Sequence, residues 1–109
     1  MPKQITLDGW LISHLAILLK KASSHVAKTK TPLVLYRNTI EEEEEAYQET
    51  VCTITEGYII VQVITSGGCV VPSFQQQFVF TLDEFPTWLM RKSKDLFLQS
   101  TDTLEEQFS

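Results

Sequence analysis

Two histidines, two cysteines and one run of glutamates are the residues of this sequence whose chemistry could go beyond packing. His14 and His25 lie eleven residues apart. On a helix that is almost three turns, about 16 Å along the axis, so the two cannot share a metal ion. Neither has a Cys, His, Asp or Glu partner at ligand spacing. Nucleophilic catalysis would need Cys52 or Cys69 beside one of these histidines, with a third group to orient the base. Nothing in the pattern brings them together. The chain carries no G-x-S-x-G, G-x-x-x-x-G-K, G-x-G-x-x-G or C-x-x-C. Its four glycines, one of them Gly9 inside a helical segment, leave little material for phosphate-cradling loops. A non-enzymatic protein without cofactor or metal is the expectation.

The acidic run, Glu41, Glu42, Glu43, Glu44 and Glu45, could offer oxygens to a hard cation. Calcium loops, however, interleave carboxylates with glycine or asparagine so that the backbone wraps the ion, and an unbroken run has no such turn. It reads as a solvated connection kept extended by self-repulsion, with the capacity to flank a basic partner. Six of the fourteen acids fall between Glu41 and Glu49, which accounts for the net charge of −5. The remaining eight acids face nine basic residues, so the rest of the chain is close to neutral.

The elements that must position these residues follow from periodicity. From Thr6 to Lys28, Leu7, Leu11, Leu15, Leu18, Ala22 and Val26 recur in steps of three and four, one face of an amphipathic helix. Trp10, Ile12, Ile17 and Leu19 widen that face, which suits packing on a sheet or partly on a second subunit. Pro32 pushes the preceding residue out of helical conformation and ends the helix. Four segments rich in Val, Ile, Thr, Tyr and Phe come next: Leu33 to Tyr36, Thr50 to Thr55, Tyr58 to Thr65 and Phe74 to Thr81. Glu56-Gly57 makes a two-residue turn that pairs Cys52 with Val61, and Ser66-Gly67-Gly68 turns into the fourth strand. Cys69 then lies about five residues further along the sheet, at about 3.3 Å per residue far beyond disulfide reach.

A last helix begins near Thr81-Leu82-Asp83-Glu84. Thr81 and Glu84 have capping-box spacing, with Phe80 and Phe85 placed as a hydrophobic staple. Pro86 favours Asp83 as the cap, and Phe85, Trp88, Leu89, Leu96 and Phe97 should face inward. The expectation is an α+β fold: an N-terminal helix, a four-stranded antiparallel meander and a C-terminal helix in one two-layer domain. Residues 1–98 form that domain, with the acidic connection 38–49 inside it and 99–109 as a polar, frayed tail. No apolar run is long enough to cross a bilayer. The opening Met1-Pro2-Lys3-Gln4 lacks the order of a signal peptide, and the sparse cysteines suit a reducing, cytoplasmic setting.

In element order alone the chain resembles two kinds of small nucleic-acid binder, the single-strand-binding PC4-like coactivator fold and the Alu-domain subunits of the signal recognition particle. Both associate as dimers, and the resemblance implies single-strand nucleic-acid binding, for which the basic residues of this chain at hand are Lys30, Arg37, Arg91, Lys92 and Lys94. The residues themselves favour another reading. The third strand, Tyr58-Ile59-Ile60-Val61-Gln62-Val63-Ile64, is apolar on both faces, and the chain is short of material to cover both. This points to a regulatory or adaptor-type protein-binding module, homodimeric, that occludes or presents a surface. Its contacts would be Trp10, Ile12, Ile17, Tyr58, Ile60 and Phe74, flanked by the glutamate run, with a second copy or a basic protein as partner.

Overall fold

The structure, a computed structural model, describes residues 6–41, 47–67 and 71–108, with side chains throughout except at 67 and 71–74. Its elements run α1 (Leu7–Thr29), β1 (Leu33–Glu41), β2 (Tyr47–Ile54), β3 (Tyr58–Gly67), β4 (Val71–Thr81), α2 (Phe85–Lys92) and α3 (Lys94–Phe108). The strands form one antiparallel sheet in chain order, so the fold is the expected α+β meander, with two C-terminal helices in place of one.

Local chemistry sets the ends of α1. The Thr6 hydroxyl accepts a hydrogen bond from the Gly9 N–H at 3.1 Å, and Asp8 lies in the positive first turn. At the other end Lys30 adopts a left-handed conformation, φ 61°, and its N–H donates to the Val26 carbonyl at 2.7 Å. Leu15, Leu18, Leu19, Ala22 and Val26 are buried as the periodicity requires.

Cys52 pairs with Val61 and Ile54 with Ile59, the register set by the turn at Gly57. Gly57 has φ 87°, Thr55 N–H donates to the Tyr58 carbonyl at 2.9 Å, and Gly57 N–H donates to the Ser23 hydroxyl on α1 at 2.8 Å. This turn is thereby tied to the helix layer. The first hairpin extends further than its acidity suggests, because pairing continues through Asn38↔Thr50 and Ile40↔Gln48 to Glu41↔Tyr47. Most of the expected connection 38–49 is therefore sheet. Thr39, Ile40 and Tyr47 favour extended backbone, and Arg37 pairs with Glu49 at 3.5 Å. Strand β4 takes in Val71 and pairs to Gly67, also beyond the expected limit. The edge strands are β1 and β4.

The start of α2 corrects the expected Asp83 cap. Thr81 N–H donates to the Glu84 carboxylate at 3.3 Å, and Glu84 N–H donates to the Thr81 hydroxyl at 3.2 Å. This reciprocal pair closes the turn at 82–84, and Pro86, lacking an N–H, delays the helix until Phe85. The staple forms, with the Phe80 and Phe85 rings 5.9 Å apart.

The frayed tail is also corrected, since residues 99–108 belong to α3. Ser93 turns to extended backbone, separates α2 from α3, and accepts the Leu96 N–H on its hydroxyl at 3.3 Å. Ser100 and Thr101 are buried because their hydroxyls donate to the Leu96 and Phe97 carbonyls at 2.9 and 3.0 Å. A polar sequence is thus able to carry a buried stripe of Phe97, Ser100, Thr101 and Leu104.

All three helices pack on one side of the sheet. Their inward residues, including Leu15, Leu19, Leu89, Phe97 and Leu104, join Tyr36, Cys52, Ile54, Ile59 and Val61 in a single core. Leu104→Ala should therefore cost about 2–5 kcal/mol in denaturant unfolding; a frayed tail would make the change nearly silent. The two positive-φ positions should respond with opposite signs. Lys30→Gly should stabilise and Gly57→Ala destabilise, each by about 1 kcal/mol in the same measurement.

Candidate functional site

The titratable residues serve the packing of the helices. His14 Nε2 lies 2.6 Å from the Glu105 carboxylate, and the His25 ring meets Phe108 edge-on with centroids 5.3 Å apart. Both tie α1 to α3. Among the described residues no three His, Cys, Asp or Glu side chains converge as a metal site. Cys52 is a free thiol, fully buried next to its cross-strand partner Tyr36. Burial pushes its pKa up, a rise that the hydrogen bond with Tyr36 partly offsets. Burial also pushes the Tyr36 hydroxyl up, and the neighbouring sulfur adds to this. Cys69 lies outside the described residues.

The residues expected to bind protein fall on two sides of the domain. Trp10 and Ile17, seven apart and so nearly aligned two turns from each other, project from the outer side of α1 at 64% and 54% exposure. Ile12, one step round the helix, packs against the core instead. Tyr58 and Ile60 lie on the other face of the sheet. Phe74 pairs with Thr65 through its backbone; its side chain is outside the described residues. Glu41 is exposed at the end of β1, and Glu42, Glu43, Glu44 and Glu45 fall outside the described residues.

The residues expected to bind nucleic acid do not form one basic surface. Lys30 pairs with Glu56 at 3.7 Å, Arg37 with Glu49 at 3.5 Å and Lys94 with Asp8 at 3.7 Å. Arg37 sits on the open sheet face, whereas Arg91, Lys92 and Lys94 flank the junction of α2 and α3.

Two features stand out from this arrangement. The first is the sheet face opposite the helices, against which no described element packs. The register sets Val34, Thr53, Ile60 and Val79 in a row across all four strands, with Tyr58 beside it. Val34, Tyr58 and Val79 are exposed and Ile60 is half-buried. The second is a half-open hollow of about 210 Å³ on the helix side, where the sheet extends past the helices. Its floor includes Val61, Val63 and Phe78, and its wall is Trp88, Lys92 and Leu96. The hollow does not follow from the sequence reading, because the expected connection 38–49 takes in Asn38, Ile40 and Gln48. The alternation of Ile40 and Tyr47 with Thr and Gln was the signal that could have placed them on strands.

The Tyr36–Cys52 pair makes stability depend on alkaline pH. The unfolded chain releases the Cys52 proton near pH 8.5, whereas the folded chain keeps it. The contribution is complete below that pH and is lost as pH rises through and above it. Urea unfolding between pH 7 and 10 should show wild type losing up to about 1.4 kcal/mol per pH unit more than Cys52→Val.

The comparisons with known proteins add no relative: no protein-family model, no curated protein and no solved structure matches this chain.

Proposed function

We propose that this chain is a non-enzymatic, regulatory or adaptor-type protein-binding module that works as a homodimer, two copies stacking their open sheet faces. The observation that carries the reading is the cross-strand row Val34, Thr53, Ile60 and Val79 with no described element of the chain over it. Beside it, Arg37 and Glu49 neutralise one another, so no unpaired charge adjoins the row at that point. An apolar row of this kind can meet a second copy of itself about a two-fold axis.

Magnitudes support a second copy as occupant. Four strands at about 4.8 Å spacing and about 26 Å of common length give roughly 500 Å² of projected face per copy. Two such faces bury about 1,000 Å², the lower bound for a specific interface. Each half-exposed Val, Ile or Tyr newly covered contributes about 1 kcal/mol, against a cost of association of several kcal/mol. The dimer would be of moderate affinity. The outer sides of α1, with Trp10 and Ile17, would face away from each other and be presented to another protein, with the glutamate run as an acidic flank for a basic one. A reducing compartment such as the cytoplasm agrees with the buried thiol of Cys52.

Light scattering on a size-exclusion column tests this reading. The wild type at high micromolar concentration should run at twice 12.5 kDa, whereas Val79→Lys and Ile60→Asp should run as monomers with unchanged circular dichroism. A wild-type monomer, or a dimer indifferent to both changes, would remove the proposal. A salt-sensitive complex with a mixed-sequence single-stranded oligonucleotide would replace it with nucleic-acid binding.

A further inference from the structure

The hollow on the helix side of the sheet carries an inference independent of the dimer. Its floor is set by register: Tyr36, Cys52, Val61 and Phe78 form one cross-strand row, and Asn38, Thr50 and Val63 belong to the next. The helices cover the first row only in part, so Phe78 remains 47% exposed although it faces the helix side, and Ile40 beyond it 48%. The indole of Trp88, held 4.5 Å from the Phe80 ring, forms the opposite wall.

Polar groups in the lining are few and specific. Asn38, Gln48 and Thr50 supply amide and hydroxyl groups from β1 and β2, and Lys92, the last residue of α2, supplies the one charge among the described lining residues. Among the described residues no aspartate or glutamate lines the hollow. Lys92 has no carboxylate within ion-pair distance among the described residues, unlike Lys30, Arg37 and Lys94. An apolar floor with an aromatic wall, amide donors and a lone ammonium suits a ligand with a hydrophobic body and one negative group.

Size narrows the class. A dry cavity of about 150 Å³ takes up benzene. At about 210 Å³ the hollow admits roughly eight to ten heavy atoms beyond its charged group and is too small for a nucleotide. We infer that the hollow binds a small amphipathic carboxylate, its apolar body on Val61, Val63, Phe78 and Trp88 and its carboxylate toward Lys92.

Amide NMR titration of the full chain with octanoate, octanol and octylammonium tests the inference. Octanoate should saturate a single site, with shifts centred on residues 61–63, 78 and 88–92, and octylammonium should not bind there. Lys92→Gln should weaken octanoate roughly fivefold and leave octanol unchanged. Val63→Trp, which fills the floor, should abolish both, and Trp88 fluorescence in a Trp10→Phe background gives a second readout should that variant pack poorly. Shifts scattered over the surface without saturation, or equal binding of octanoate and octanol in wild type and Lys92→Gln alike, would overturn it.

Discussion

The domain depends on one constraint: its strands offer two apolar faces, and its helices cover only one. Ile54, Cys52, Ile59 and Val61 meet Leu15, Leu19, Leu89 and Phe97 on that side, and every helix end is arranged to keep them there. The Gly57 turn is bonded to Ser23 of α1, the Thr81–Glu84 pair turns β4 directly into α2, and Ser93 redirects the chain so that α3 can lie along α1 and β1. With three helices committed to one layer, nothing described is left for the row running from Val34 to Val79. The core and the open face are two results of the same economy of chain.

Much of this was legible in the residues. The spacing of Leu11, Leu15, Leu18, Ala22 and Val26 defined α1, and Gly57 fixed the register that sets Cys52 against Val61. What escaped was chemistry that imitates its opposite. Ser93 is tolerated within helices and also caps them, so the stretch Lys92-Ser93-Lys94-Asp95 gives no clear break. Ser100 and Thr101 look like surface residues but fold their hydroxyls onto carbonyls of their own helix. The glutamates suggested a long connection, while Thr39, Ile40 and Tyr47 beside them were already strand formers. For the candidate sites, a broad apolar stripe could not say that Ile12 turns inward while Trp10 and Ile17 stay out. The hollow was invisible for a different reason, as it arises where a long sheet outruns a shorter helix layer, a relation between elements that no local pattern records.

The exposed ion pairs have a role in orientation more than in stability. His14–Glu105 and Asp8–Lys94 both join α1 to α3, and each is open enough to water to contribute well under 1 kcal/mol. Together with Lys21 donating to the Phe108 carbonyl at 3.4 Å, they match low residue numbers in α1 with low ones in α3 and high with high. The two helices therefore run parallel.

That seam between α1 and α3 sets the order of events when the chain folds. Each hairpin of the meander joins neighbours in sequence, and α2 follows β4 after a three-residue turn, so these parts nucleate from short loops at little entropic cost. The contact of His14 with Glu105 instead spans 91 positions. It closes a loop of almost the whole chain, and it rewards the chain only once the last helix has been made. The transition state should therefore hold the sheet and turns, with α3 docking late, so that the fifteen residues of α3 act chiefly as a lock on unfolding and little on the rate of folding.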